Sequence, residues 1–485
     1  LGTAAAKNSS LLAVGLFLLL AFVGVVAGLV MFGWGGNSYQ TRLNLILVSC
    51  ASVSLASPVL TAMLKRPYDI FHPLNFIALS LFFGVFGRII YVLSVDSPVV
   101  TELLDDRPLE SLVPGAILSA VGSVLFCAGY LVPQEMFLKL RWLTRTFESF
   151  NQKRFLAFLP LWFAISAVGV YFFLKATGFE FSGFSSISEK RRVLINGVDS
   201  SLGYVRLIGQ ELPKMVLLFL VGVWMMRKRT SLVVTLSLAA FTVLAIALPF
   251  VASSRGIVVL TMIMACVLIN RIRPINVVAV VGVGVLALCV ISGMLALRRV
   301  NSRGMQFGEA LTEMGLEPIF GNHSFADVVK LSHIYEAVPD EIDYKYGSSF
   351  VSILYTPIPR SLWEDKPQVS MGREITEKVY NKGLLLKDKG GGTPPGLFAE
   401  SIINFSVFGF PFAVLVAGAL LRLLANSLDR VADYSVPGAV LYASVIPPYC
   451  LSMMSGDYTR SLTQSLTALV IVVGVTLVSR VKIGN

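Results

Sequence analysis

Apolar runs of about 20 residues recur along almost the whole chain, and a helix of that length is what crosses a hydrocarbon core. They fall at 10–32, 43–64, 73–95, 112–132, 155–175, 207–226, 232–251, 256–270, 276–296, 397–421, 436–455 and 461–479. Inside a bilayer every backbone N–H and C=O needs a partner within the protein, so such runs fold as helices. The expected fold is all-α and polytopic, with about twelve membrane-spanning helices. The first run is long enough to span rather than to serve as a cleaved leader. The run at 207–226 carries Glu211, Pro213 and Lys214 towards one end, and the run at 256–270 is short.

Composition agrees. Of 485 residues, 55% are hydrophobic and only 14% charged, against about 25% charged in a soluble protein. A net charge of +11 would suit nucleic acid, but Lys and Arg cluster between the apolar runs, as in a membrane protein oriented by cytoplasmic positive charge. No nucleic-acid partner is expected. The five cysteines (Cys50, Cys127, Cys266, Cys289 and Cys450) all sit in apolar segments, with no disulfide framework or zinc spacing.

Orientation follows from the basic residues. With the N-terminus inside, the cytoplasmic stretches hold about 17 Lys and Arg and the short outer loops about nine; only the loop at 176–206 runs against the bias. Residues 1–296 then hold the first nine helices, 297–396 form a large periplasmic loop, and 397–485 hold the last three helices with the C-terminus inside. Within the loop, Asn322 or Ser324 could cap an amphipathic helix with Phe325, Val328, Val329, Ser332 and Tyr335 on its apolar face. Gly347 to Tyr355 is too short to span and reads as an interfacial segment. A second short helix is expected from Glu374 to Asn381, and Gly390 to Gly396 breaks the chain.

Ionisable residues at membrane depth are costly and functional by default. Arg88, Glu211, Lys214, Arg255, Glu400, Asp457 and Arg460 are of this kind, and the assigned topology puts them all towards the outer leaflet. Arg191, Arg192 and Arg360 lie on the same side. Arginine suits a diphosphate because its planar fork pairs bidentately and stays charged; taken singly, each arginine could equally snorkel to a lipid headgroup. His323 and His333 could titrate near neutral pH or merely cover a helix surface. Asp105-Asp106 and Asp340-Glu341-Ile342-Asp343 read as solvated acidic loops more readily than as metal sites, and no metal or cofactor is expected. Trp363 and Tyr355 could stack on a sugar or sit at the membrane interface.

One stretch carries a resemblance. Tyr346-Gly347-Ser348-Ser349-Phe350 followed by Ile358-Pro359-Arg360, Trp363 and Lys366-Pro367 resembles the Wzy-type O-antigen polymerases, the oligosaccharide repeat-unit polymerases. In that family a Gly-rich segment precedes a Glu-containing helix and an Asn-Phe-Gly turn, matched here by Gly391 to Glu400, Asn404-Phe405 and Gly409. The turn Ser253-Ser254-Arg255-Gly256 is similar too. The sequence departs at Ala399, where the family has Gly, and at Ser406, which replaces the first Gly of the turn.

The resemblance implies a GT-C-like bundle that transfers a glycan from undecaprenyl pyrophosphate to a second lipid-linked repeat unit, with a Wzz-type chain-length regulator as a possible partner. Arg255, Arg360 and Arg460, assisted by Arg191 or Arg192, would hold the pyrophosphate. Glu400 would be the general base, with His323 or Asp457 as alternatives. Trp363, Tyr355 and Lys366 would meet the sugar. An O-antigen ligase would share this chemistry. A flippase or transporter would place its charges at mid-bilayer and show inverted repeats.

Overall fold

In a computed structural model of the protein, the described residues are chiefly 38–64, 68–95, 107–132, 135–176, 200–227, 231–247, 255–303, 327–356, 371–380, 392–433 and 435–480, with a few single positions between them. Among them the chain is all helical, with no strand. The expected span at 10–32 lies outside the described residues.

Seven helices are long and apolar enough to cross a membrane. They include α1 (Ser38–Met63), α2 (Pro73–Ser94), α3 (Leu112–Leu131) and α7 (Ser200–Met226), the last contributing Gly209–Met226. The rest are α14 (Leu397–Ala432), α15 (Val436–Ser455) and α16 (Tyr458–Ser479). Four shorter apolar helices fall at other expected spans: Leu159–Phe172 of α6 (Leu159–Ala176), Leu232–Ile246, in which α8 (Leu232–Thr242) continues into a π turn, Gly256–Ile272 of α9 (Arg255–Ile272) and Val277–Gly293 of α10 (Val277–Arg303). Two small helices, α4 (Arg141–Glu148) and α5 (Gln152–Ala157), join α3 to α6. Between α10 and α14 lie α11 (Val328–Ala337), α12 (Ser348–Tyr355) and α13 (Gly372–Lys378).

The bundle closes where small residues let backbones touch. A Cβ on Gly129 of α3 would stand 1.9 Å from the Leu415 carbonyl of α14, and one on Gly418 would stand 2.1 Å from that of Phe126. Helices without a hydrophobic driving force between them pack in this way. Pro58, Pro213, Pro411, Pro447 and Pro448 all lie within helices, which apolar bundles tolerate because neighbouring groups satisfy the freed carbonyls. Glu211 and Lys214 form an ion pair with each other on α7.

Helix ends alternate between two faces. At one face, Arg107 pairs with Glu336, Lys330 Nζ donates to the Pro394 carbonyl at 2.9 Å, and Gly396 N–H donates to Gly456 O at 2.9 Å. At the other, Arg154 donates to the Arg480 carbonyl at 2.7 Å, Leu138 N–H donates to Ser427 Oγ at 2.8 Å, and Arg271 pairs with Asp429.

The loop helices differ from expectation in detail. The cap of α11 is Asp327, whose Oδ1 accepts from Val329 N at 3.0 Å and Lys330 N at 3.4 Å; Asn322, Ser324 and Phe325 lie outside the described residues. Nor is α11 amphipathic. Val328 to Ile334 are all buried, because the helix lies against α3 and α14 instead of on the surface. His333 is therefore a core residue, its ring 5.6 Å from that of Tyr380. The Gly347–Tyr355 run is helix α12, and α13 starts at Gly372, ahead of the expected Glu374.

Asp327 does a second job. Its Oδ2 lies 3.3 Å from Arg88 Nη1, both side chains fully buried. Removing one partner of a buried ion pair strands the other charge, at about 3–5 kcal/mol. Asp327→Asn keeps a capping oxygen and loses the pair; Asp327→Ala loses both. Thermal unfolding in detergent should rank wild type above Asn above Ala, with the last step near the ~0.5–2 kcal/mol of an N-cap.

Candidate functional site

The site begins at a glycine. Gly396 has φ +77°, and a Cβ there would lie 2.4 Å from the Met454 carbonyl. Only glycine serves at such a position, so the first turn of α14 is pressed against the end of α15. Glu400 falls in that first turn, where the positive end of the helix dipole favours a carboxylate.

Glu400 is 1% exposed. Its Oε1 accepts from the Ser349 hydroxyl of α12 at 2.7 Å, and its Oε2 accepts from the Tyr458 backbone N–H of α16 at 2.8 Å. One turn on, Asn404 Nδ2 donates to Ser349 Oγ and to the Glu400 carbonyl, each at 2.8 Å, while its Oδ1 accepts from Gly347 N–H at 2.9 Å. Thr459 Oγ1 donates to the Ser349 carbonyl at 2.7 Å. The start of α12, the first two turns of α14 and the start of α16 are thus sewn together by buried polar groups, as burial of such groups requires.

More charge lies behind this cluster. Asp457, 3% exposed and just before α16, repels Glu400 and attracts Lys330. Burial pushes the Lys330 ammonium below its usual value; Asp327 and Asp457 oppose that shift and Arg88 adds to it. By holding Pro394, Lys330 also fixes the chain just before Gly396.

Of the residues expected at the site, Glu400 and Asp457 are brought together, and so are Tyr355 and Trp363, whose rings meet edge-on at 5.9 Å. Arg255 opens α9 and Arg460 lies in the first turn of α16, but their side chains lie outside the described residues. Arg191, Arg192, His323, Arg360 and Lys366 lie outside them altogether. Ser349, Asn404, Thr459, Lys330 and Asp327 were not singled out as site residues beforehand. Ser349 and Asn404 do stand in the segments that carry the family resemblance, and those two segments touch here.

Below the cluster α14 breaks. Ser406 has φ 60° and ψ −178°, a backbone region nearly reserved for glycine, which costs other residues about 1–3 kcal/mol. It is the position where the resembled family has Gly. The break leaves Phe408 96% exposed and Phe412 exposed, while Phe405 stacks on Phe350 at 5.9 Å. Compared with known proteins, the chain matches no family model, no curated protein and no solved structure.

Two outcomes follow from this geometry. Ser406→Gly should raise thermal stability by about 1 kcal/mol, because strain is relieved while only the 3.3 Å contact from Phe408 N–H is lost. The second concerns Glu374, which bonds Lys345 at 2.9 Å and lies 3.2 Å from Lys378. Burial works to raise its pKa, but the two lysines outweigh it and hold the carboxyl below its ordinary 4.5. A depressed carboxylate adds stability above 4.5 that is lost as pH falls through the lower, folded value. Hydrogen-exchange protection of 371–380 should weaken in that acid window, and Glu374→Gln should remove the dependence.

Proposed function

We propose that the chain is a glycosyltransferase that polymerises lipid-linked oligosaccharide repeat units at the outer face of the bacterial cytoplasmic membrane. In this reading about twelve helices span the bilayer, both termini are cytoplasmic, and the segment between α10 and α14 is periplasmic. The observation that carries it is the convergence of segments 346–350 and 396–404 on Glu400, a buried carboxylate bonded to α16 between Asp457 and Arg460.

The substrates are a glycan on undecaprenyl pyrophosphate and a second lipid-linked repeat unit. The acceptor hydroxyl oxygen attacks the anomeric carbon, the bond from that carbon to the pyrophosphate breaks, and the hydroxyl proton passes to a carboxylate. Glu400 takes this proton, with Asp457 and His323 as the other acceptors to test. Its hydrogen bonds from Ser349 and Tyr458 leave further lone pairs available, and general-base help of this kind is worth about 10²–10⁴-fold. Arg255, Arg360 and Arg460, with Arg191 or Arg192, neutralise the departing lipid pyrophosphate. Trp363, Tyr355 and Lys366 face the sugar. A chain-length regulator would set when polymerisation stops.

Arg360→Ala and Glu400→Gln should abolish polymer while the protein stays in the membrane, and Arg255→Lys should fail because the bidentate fork is gone. Normal chain length in Arg360→Ala would remove that residue from the site. A deletion strain should carry single repeats capped on lipid A; unattached long polymer there would mark a ligase instead. Purified protein that lengthens lipid-linked oligosaccharide without a membrane gradient would exclude a transporter.

A further inference from the structure

On the face opposite the buried cluster, the segment from Glu135 to Phe158 is fastened from several sides. Leu138 N–H donates to Ser427 Oγ at 2.8 Å, Asn426 donates to the Met136 carbonyl at 3.0 Å, and Asn151 N–H donates to the Ser479 carbonyl at 3.1 Å. Helix α4 within it buries Leu143 and Phe147, one turn apart, against α15 and α16. Its other side is composed differently. Arg141 and Arg145 fall one turn apart with Trp142 beside them, all three exposed, and Lys139 just ahead is exposed too. Among the described residues none of these three cations is bonded to a carboxylate. Met136, Leu138 and Trp142 are all more than half exposed.

A pinned helix that presents guanidinium groups and an exposed tryptophan side by side, at the end of an apolar bundle, has the composition of an interfacial membrane segment. Its cations complement anionic headgroups, whose attraction acts on each Lys or Arg near the surface. We infer that Lys139, Arg141 and Arg145 form a binding surface for anionic phospholipid, with Trp142, Met136 and Leu138 dipping into the acyl boundary. The occupant is a lipid because apolar and cationic groups share one short element flanked by spans α3 and α6. A soluble acidic protein would leave the exposed apolar side chains uncovered.

The test uses the full chain in phosphatidylcholine vesicles with a minority of phosphatidylglycerol. Bromine is carried on the acyl chains of one lipid or the other at equal mole fraction. The chain has five tryptophans, so the Trp142 signal is taken as the difference between wild type and Trp142→Phe. Brominated phosphatidylglycerol should quench Trp142 at least about twofold more than brominated phosphatidylcholine, and added salt should shrink the preference. The triple variant Lys139→Gln/Arg141→Gln/Arg145→Gln should lose the preference but keep quenching by both lipids. Equal quenching in the wild type would overturn headgroup recognition. Absence of quenching by either lipid would place the segment off the membrane, against another partner, and overturn the proposal entirely.

Discussion

A carboxylate sealed inside an apolar bundle persists only if donors replace the water it has lost. For Glu400 those donors come from two other parts of the chain, the Ser349 hydroxyl and the Tyr458 amide. The arrangement is reciprocal. Tyr458 opens α16, so its N–H belongs to the group of helix-start donors without an intrahelical partner, and Ser349 is buried with its carbonyl already held by Thr459. Each group settles a debt that another would otherwise carry. The position of α12 depends on this exchange together with the packing of Phe350 on Phe405 and Tyr458, while Val351 and Leu354 of α12 are exposed.

The charges behind Glu400 form a second layer of the same construction. Arg88, Asp327, Lys330 and Asp457 are all buried. Among the described residues, two cationic and three carboxyl side chains therefore share one buried region. Arg460 follows Asp457 in the first turn of α16.

Hydropathy alone located the seven helices long and apolar enough to span, because a helix facing lipid must be apolar for most of its length. What it could not locate were contacts that depend on tertiary approach. Lys330 stands among apolar residues of a short helix, and a period count offers no sign that every side of that helix is covered. Asn322 and Ser324 have capping chemistry like that of Asp327; what a sequence does not display is that Asp327 also pairs with Arg88, from far along the chain. His333 read as a surface residue for the same reason that Lys330 was passed over. Glu400 and Asp457 were legible because a carboxylate in an apolar run is costly wherever it lies. Their closeness was not, since 57 positions of helix, turn and helix separate them.

The two faces hold charge differently. Around Glu400, the charged groups Arg88, Asp327, Lys330 and Asp457 are withdrawn from solvent. At the opposite face, arginines lie over aromatic rings: Arg271 Cζ is 3.9 Å from the Tyr442 centroid, Arg422 Cζ 5.0 Å from Tyr130 and Arg430 Cζ 3.4 Å from Phe137. A ring face supports a guanidinium alongside any ion pair it makes, as Arg271 does with Asp429. Those side chains are half-buried or exposed, with apolar stems against the bundle and charge kept near the surface. Withdrawn charge is what a water-poor reaction site requires, because electrostatic interactions there are undiluted by solvent. Presented charge anchors a bundle at a membrane boundary. The buried cluster and the ring-stacked arginines therefore lie at opposite ends of the same helices, and α14 links them, with Glu400 in its first turn and Arg430 in its last.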